Sequence, residues 1–283
     1  MSELSPFART RLAPTPSGYL HRGNGFSFAL AALLARRAGA ALLLRIDDID
    51  RGRYRPRYLQ DIFETLDWMG IAHTEGPRDA AAFERHWSQH RHLERYQQLL
   101  EHLTATGQVY ACRCSRREIR ARSKDGSYSG TCRRLQLPLD LPGAAWRVHV
   151  PPDTLTGYFR ADGTAAEPLP LADRTGDFVI RGKNGLPAYQ VVSLADDLHY
   201  GCDFIVRGED LLDSTLMQQY LARLIGASAF AAARFLHHPL VTAPDGSKLS
   251  KSAGAAALRQ WRAEGRSAAE LWAAATVYLA TVG

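Results

Sequence analysis

The stretch Arg11–Asn24, RLAPTPSGYLHRGN, decides how the rest of this 283-residue chain is read. On its left, Phe7–Ala13 is short and apolar enough for a buried strand. Inside it, Pro14, Pro16 and Gly18 make a turn-rich connection, and on its right Phe26–Arg37, rich in Ala, Leu and Phe, predicts a helix. A strand, a Pro/Gly loop and a helix start in that order put free backbone N–H groups and the positive end of a helix dipole at the head of a sheet, a place for phosphate. The loop is neither GxGxxG nor GxxxxGK[ST], so the dinucleotide fold and the P-loop both fit poorly. Gly39 stops the helix, and Ala41–Ile46 (ALLLRI) reads as a second, parallel strand. The resulting β–α–β unit implies an α/β fold with a right-handed crossover and a sheet covered on both faces. Asp47-Asp48-Ile49-Asp50 follows at the carboxyl end of the second strand, where open α/β sheets hold ligands. A solvated acidic turn is the plainer reading of Asp48 and Asp50.

Composition narrows the class. With 46% hydrophobic and 23% charged residues and no low-complexity tract, the chain should be globular, as one large domain or two modest ones. No run approaches the roughly 18 apolar residues of a membrane span, and residues 1–10 lack the layout of a secretion signal. No membrane partner is expected. A net charge of +6 and a pI near 9.3 are compatible with an anionic partner such as RNA without requiring one. Four cysteines (112, 114, 132, 202) are too few for a disulfide framework, and three of them cluster. That pattern suits a reducing cytoplasm and a metal.

Pro56 and Gly70 bracket a helix ending at Met69, and a longer polar helix is predicted over Phe83–Thr106. Its histidines (86, 90, 92, 102) read as a solvated face with one or two packed rings. Val109–Cys114 predicts a strand, and Ser115–Glu118 a capping box. Cys112-x-Cys114 followed by Tyr128-x-x-x-Cys132 brings three thiols and a phenol into a twenty-one-residue span, which suits a tight tetrahedral metal corner. Three unliganded thiols in a reducing cell is the rival reading, and Tyr128 by itself is a poor ligand. Leu135–Gly176 is rich in Pro, Gly and Asp, with strand-like Trp146–Val150 inside. Phe178–Arg181 and Asp203–Arg207 read as strands, Ala188–Asp197 as a helix, and a further helix opens at Gly208-Glu209-Asp210 and runs to Leu224. An arginine ending a parallel strand on the same edge as the opening loop is well placed for a carboxylate. For Arg207 a structural salt bridge to Glu209 or Asp210 is the alternative. Asp196, Asp197 and Cys202 read as framework. Near the end, Ser267-x-x-Glu270 resembles another capping box.

His21-x-Gly23-Asn24 resembles the HIGH signature of class I aminoacyl-tRNA synthetases, and Arg11–Leu20 resembles the form it takes in their glutamyl/glutaminyl branch. Lys248-Leu249-Ser250-Lys251-Ser252 is similar to the KMSKS loop, with Leu for Met. RIDDID, Pro187-Ala188-Tyr189 and VRGEDL resemble the branch's remaining motifs. The resemblance implies a Rossmann-like class I catalytic domain, a parallel sheet with helices on both faces, carrying an inserted α+β zinc-containing subdomain. Its divisions would fall at 1–107, 108–185, 186–252 and 253–283, the last a helical segment. It also implies a reaction in which the amino acid's own carboxylate attacks the α-phosphate of ATP and expels pyrophosphate. The protein then needs no nucleophile, only positioning and charge stabilisation. His21, Asn24, Lys248 and Lys251 would serve the chemistry, with Gly23 and Ser250 also at ATP, and Mg2+ carried by the nucleotide. Arg11 and Arg207 would pair with the side-chain carboxylate of L-glutamate and Asp47 with its ammonium, helped by Tyr189, with Ala13 and Thr15 also at the substrate. The branch has Glu where this chain has Asp47, so about 1.2–1.5 Å of reach must come from shifted backbone or a water. Cys112, Cys114, Tyr128 and Cys132 would hold a structural Zn2+.

Only 31 residues follow Ser252, too few for the anticodon-reading domain of a full glutamyl-tRNA synthetase. This layout resembles the glutamyl-Q branch of the family. The implied activity is activation of L-glutamate without tRNA and transfer to the queuosine base at the wobble position of tRNA(Asp), so that the cleft receives an anticodon loop. A monomer is expected. A shortened ligase serving a small amine or carrier protein, charging of tRNA(Glu), and a non-catalytic RNA binder stand as the alternatives.

Overall fold

The computed structural model describes residues 6–123, 128–240 and 257–282. The chain enters through strand β1, Arg9–Leu12, crosses over helix α1, Arg22–Ala38, and returns in strand β2, Ala41–Leu44, parallel to β1. α1 ends where predicted, because Gly39 takes the left-handed conformation (φ 63°) and its N–H donates to the Ala35 and Arg36 carbonyls. It begins a turn earlier than the predicted Phe26. His21 is its N-cap, and His21 and Asn24 bond reciprocally, replacing the apolar start signal with a polar one. Helix α2, Pro56–Met69, has Pro at its first turn and Gly70 at φ 66° after its last residue.

The second half adds a parallel trio, with Arg234–His238 between Phe204–Gly208 and Phe159–Arg160. Asp203 joins the two sets. Its carboxylate accepts from the Ala8 and Arg9 N–H groups, its own N–H donates to the Arg9 carbonyl, and its carbonyl accepts from Arg234 N–H. Between β1 and Phe204–Gly208 no ladder forms among the described residues. β1 therefore connects to β2 on one side and lies beside a strand nearly 200 residues later on the other. Strand order reverses at this point, and open α/β sheets bind ligands there.

An antiparallel sheet, Val109–Cys112 with Ala145–Val148 with Phe178–Arg181, is built between the halves. One apolar core packs α1, β1, β2 and α2 against helix Ala269–Val282 through residues such as Leu30, Leu44, Ile62 and Ala275. A second gathers helices Leu93–Ala105, Tyr189–His199 and Leu212–Leu224 around Leu194, Ile205 and Phe235. No helix among the described residues is long and apolar enough to cross a membrane.

Three local expectations change. The helix predicted over Phe83–Thr106 is interrupted: Phe83–Trp87 is one wide turn, Ser88 turns extended (ψ 134°), and the regular helix starts only at Leu93. The break lets the Gln89 N–H and the Ser88 hydroxyl donate to Asp48. Asp48 is accordingly buried, 2% exposed, and bound also by Arg51, so it is no solvated turn residue. Near the end, Ser267 accepts from Ala269 N–H while Glu270 pairs with Arg266 instead of reaching back.

Candidate active site

A cleft of about 390 Å³ opens above the seam where β1 meets strand Phe204–Gly208. It is lined by Arg11, Ala13, His21, Gly23, Asn24, Ser27, Tyr189, Arg207, Asp210, His238 and Leu240, among others. Residues from position 11 to position 240 thus meet in one cavity. Of the sequence-predicted site residues, Arg11, Ala13, His21, Gly23, Asn24, Tyr189 and Arg207 line it. Asp47 and Thr15 do not. Lys248, Ser250 and Lys251 lie outside the described residues. The segment that contains them leaves from Leu240 on the cleft wall. It returns at Ala257, which forms a β-bridge with His21, and Leu258, whose N–H donates to the Leu20 carbonyl at 2.8 Å.

The helix cap fixes the His21 imidazole. Its Nδ1 accepts from the Asn24 backbone N–H at 3.3 Å, which places the ring proton on Nε2. Asn24 Oδ1 accepts from the His21 N–H at 3.0 Å, which leaves the amide NH2 as the donor end. Two side chains are thus held in fixed orientation at the helix start, each turning a donor end away from the cap. Gly23 makes the room: a Cβ there would meet the His21 ring at 3.1 Å. Against the same wall His238 donates from Nδ1 to the Pro239 carbonyl and accepts from Ser27 at Nε2, and burial lowers its pKa.

Under the cleft floor lies a buried ionic network. Asp197 Oδ1 accepts from Arg11 Nε at 3.0 Å and from Arg45 Nη1 at 2.6 Å. Arg45 also grips Asp47 with two bonds, at 2.8 and 3.1 Å. Gln89 bridges Asp47 to Asp196, which pairs with Arg95 and the Tyr96 hydroxyl. Burial opposes the charge of Asp197, but Arg11, Arg45 and Arg207 outweigh it and hold its pKa below the usual carboxylate range. For Asp47 burial wins over Arg45 and the pKa rises.

Arg207 is the surplus charge. Arg11, Arg45 and Arg207 are three guanidiniums against the two carboxylates Asp47 and Asp197. Arg207 is 3% exposed, and among the described residues its Nη1 donates only to neutral oxygens, of Thr215 at 3.3 Å and Gln218 at 3.0 Å. Its Nε and Nη2 have no partner among the described residues. The alternative salt bridge from Arg207 to Glu209 or Asp210 is not formed. Burial, then the nearby positive charges of Arg11 and Arg45, lower its pKa to about 10, so it stays charged at neutral pH. His237 behind Thr215 is kept neutral, its pKa lowered to about 3 by burial and Arg207. Arg207, a buried cation on a cleft wall, has donors of the kind that pair with a carboxylate.

Away from the cleft, the sulfurs of Cys112, Cys114 and Cys132 lie within 4.8 Å of one another. The Tyr128 hydroxyl accepts from the Cys132 N–H at 2.7 Å in the same cluster, and Arg147 covers its ring at 3.8 Å. Three thiols this close fit a tetrahedral soft-metal site of structural type. Burial raises the Cys114 pKa to about 11. For Cys132 the N–H of Arg113 and the neighbouring thiols and phenol overcome burial and lower it.

Sequence reading passed over Arg45, Gln89, Ser27, His237 and His238. A lone arginine inside the apolar run ALLLRI was the available signal for Arg45, since a buried cation needs partners.

Residues 8–137 match the family model for the catalytic domain of class I tRNA synthetases, E and Q. The chain is 39% identical to the glutamyl-Q tRNA(Asp) synthetase of Ralstonia nicotianae, over 89% of its own length and 79% of the relative's. It is 38% identical to that of Symbiobacterium thermophilum over 91% and 82%, and 36% identical to that of Nitratidesulfovibrio vulgaris over 96% and 85%. Among solved structures, glutamate-tRNA synthetase from Elizabethkingia anophelis superposes with a TM-score of 0.72 at 26% identity, covering 88% of this chain and 53% of that one. A glutamate tRNA ligase from Elizabethkingia meningosepticum, in complex with its amino acid, gives 0.71 at 25%, covering 88% and 52%. The chain thus spans about half the length of these solved enzymes.

Proposed function

This chain belongs to the glutamyl-Q tRNA(Asp) synthetase family, and on that premise we propose that it activates L-glutamate with ATP, without RNA, and transfers the glutamyl group to the queuosine base of tRNA(Asp). The observation that carries the substrate choice is Arg207, a buried cation on the cleft with two unpartnered donors. The γ-carboxylate of glutamate satisfies those donors and balances the surplus charge, with Arg11 beside it and Tyr189 at the rim. Glutamine, neutral at that end, leaves the cation uncompensated and is rejected.

With the γ-carboxylate held there, the α-carboxylate lies toward His21 and Asn24, whose donors face the phosphates of ATP at the start of α1. The carboxylate oxygen attacks the α-phosphorus, the bond to the bridging oxygen breaks, and pyrophosphate leaves with the Mg2+ that ATP brought. Lys248, Ser250 and Lys251, on the segment whose two ends flank the cleft, are assigned to the leaving phosphates. Asp47, held bidentate by Arg45, is assigned to the substrate ammonium through a bridging water, with Ala13 and Thr15 beside it. Zinc on Cys112, Cys114, Cys132 and Tyr128 would tie strand Val109–Cys112 to the loop ending at Cys132, within the inserted unit 108–185. Its role would be structural. A monomer in the reducing cytoplasm suits the free thiols.

An amino-acid panel in ATP–pyrophosphate exchange without RNA tests the first step, and exchange with an amino acid other than glutamate refutes it. Transfer of glutamate to queuosine-containing but not queuosine-free tRNA(Asp) tests the second. Charging of tRNA(Glu), or of neither RNA, would replace it.

A further inference from the structure

Beside the His21 wall stands a cluster of rings and cations that the chemistry above does not use. Tyr19, two residues before His21, meets Tyr58 of α2 edge to face, with centroids 4.9 Å apart at 86°. Each ring carries an arginine. Arg259 lies 4.9 Å over Tyr19 and donates to its hydroxyl at 2.9 Å, while Arg57 lies 5.0 Å over Tyr58 and donates to its hydroxyl at 3.2 Å. Arg55 hangs from the same turn and, among the described residues, donates only to the Gly52 and Tyr54 carbonyls. The cluster sits at the cleft edge, because Arg259 follows Leu258, which is bonded to Leu20, and the Arg55 N–H donates to the Pro16 carbonyl.

Charge balance sets this patch apart. Arg55, Arg57 and Arg259 are exposed, and none of the three pairs with a carboxylate among the described residues. Two other arginine–tyrosine contacts are closed by an acid, Arg51 over Tyr54 by Glu84 and Arg95 over Tyr200 by Asp196. At a third, Arg147 over Tyr128, the guanidinium is buried and donates to the Asp177 carbonyl, so among the described residues none of these three contacts is both exposed and without an acid. Arg57 and Arg259 each give one N–H to the hydroxyl of the tyrosine beneath, and the remaining donors of these exposed guanidiniums suit a phosphate oxygen. Aromatic rings interleaved with such cations also offer stacking to a nucleobase. An RNA strand supplies both chemistries at successive nucleotides.

We propose that Arg55, Arg57 and Arg259, set on Tyr19 and Tyr58, bind the sugar–phosphate backbone of the tRNA beside the base presented to the cleft. This rests on the tRNA reading above and assigns a docking surface to it. Arg57→Gln, Arg259→Gln and the double variant are compared with wild type and with the matching Lys variants. Three readouts are taken: thermal midpoint, RNA-free glutamate-dependent pyrophosphate exchange, and affinity for queuosine-containing tRNA(Asp) across a salt series. Midpoint and exchange should hold within about twofold. The slope of log affinity against log salt should shrink by roughly one per arginine removed, with Lys restoring it. Unchanged slopes, or loss of exchange in the single variants, overturn the proposal. If wild type binds the tRNA with arginine-dependent slopes but never glutamylates it, the reading of the acceptor falls while the docking surface stands. If wild type glutamylates it and the slopes do not move, the reverse holds.

Discussion

Arg11 and Arg45 donate to the same oxygen, Oδ1 of Asp197, from 3.0 and 2.6 Å. One carboxylate thus orients a cleft arginine and, through Arg45, the Asp47 side chain. Asp197→Asn keeps the shape and removes the charge, leaving two buried guanidiniums facing each other. The expected cost is about 3–5 kcal/mol in urea unfolding; a loss under about 1 kcal/mol would mean that the network does not hold this floor together.

Arg207→Gln removes the idle cation and keeps a polar side chain. If glutamate's acid end sits there, kcat/KM for glutamate in the exchange assay should fall by about 2–3 kcal/mol, roughly 30- to 150-fold, with KM for ATP little changed. An equal rise in both KM values would point to a general disturbance of the cleft.

His21 both caps α1 and faces the cleft, and the two duties separate in His21→Ser. Serine accepts from the N3 N–H, so stability should change by less than about 0.5 kcal/mol. It is too short to reach phosphate, so the exchange rate should fall by a factor of about 100 or more. A serine variant that is unstable yet active per folded molecule would reverse the assignment.

Metal analysis of protein purified without chelator should find about one zinc per chain. Cys132→Ser should lose it and lower the unfolding midpoint, while exchange activity, measured well below that midpoint, persists. Full zinc retention in the serine variant would remove Cys132 from the site.

Asp177 predicts an acid limb in stability. It accepts from the Tyr110 hydroxyl, the Val150 N–H, Arg133 and His149; burial opposes its charge, but these donors prevail and lower its pKa. A depressed folded pKa gives stability that is present above the unfolded value, near about 3.9, and lost as pH falls through the folded one. Between about pH 6 and pH 3, wild type should lose more stability than Asp177→Asn. Parallel losses would assign the acid limb elsewhere.

What the sequence made legible was local. Gly39 and Gly70 end helices because a left-handed residue terminates the ladder wherever it falls, and Arg11–Asn24 could be read in one piece because strand, loop and helix start are contiguous. What stayed hidden depends on partners far away. Asp48 resembles a solvated acid until Ser88 and Gln89, forty residues on, break a helix to cap it. Asp197 reads as framework and is framework, but its partners Arg11 and Arg45, far away in the chain, were not legible from its neighbours. The early start of α1 was missed because its cap is a histidine, outside the usual Ser/Thr/Asp/Asn vocabulary.

The join between β1 and Phe204–Gly208 is sewn by Asp203 and by Arg11, whose Nη1 reaches the Val206 carbonyl at 3.3 Å, with no continuous ladder among the described residues. A fabric parts first at its stitching. The amides flanking that join should be the earliest of the parallel strands to exchange with deuterium, and glutamate, if it engages Arg11 and Arg207 as proposed, should slow them more than any others in the molecule.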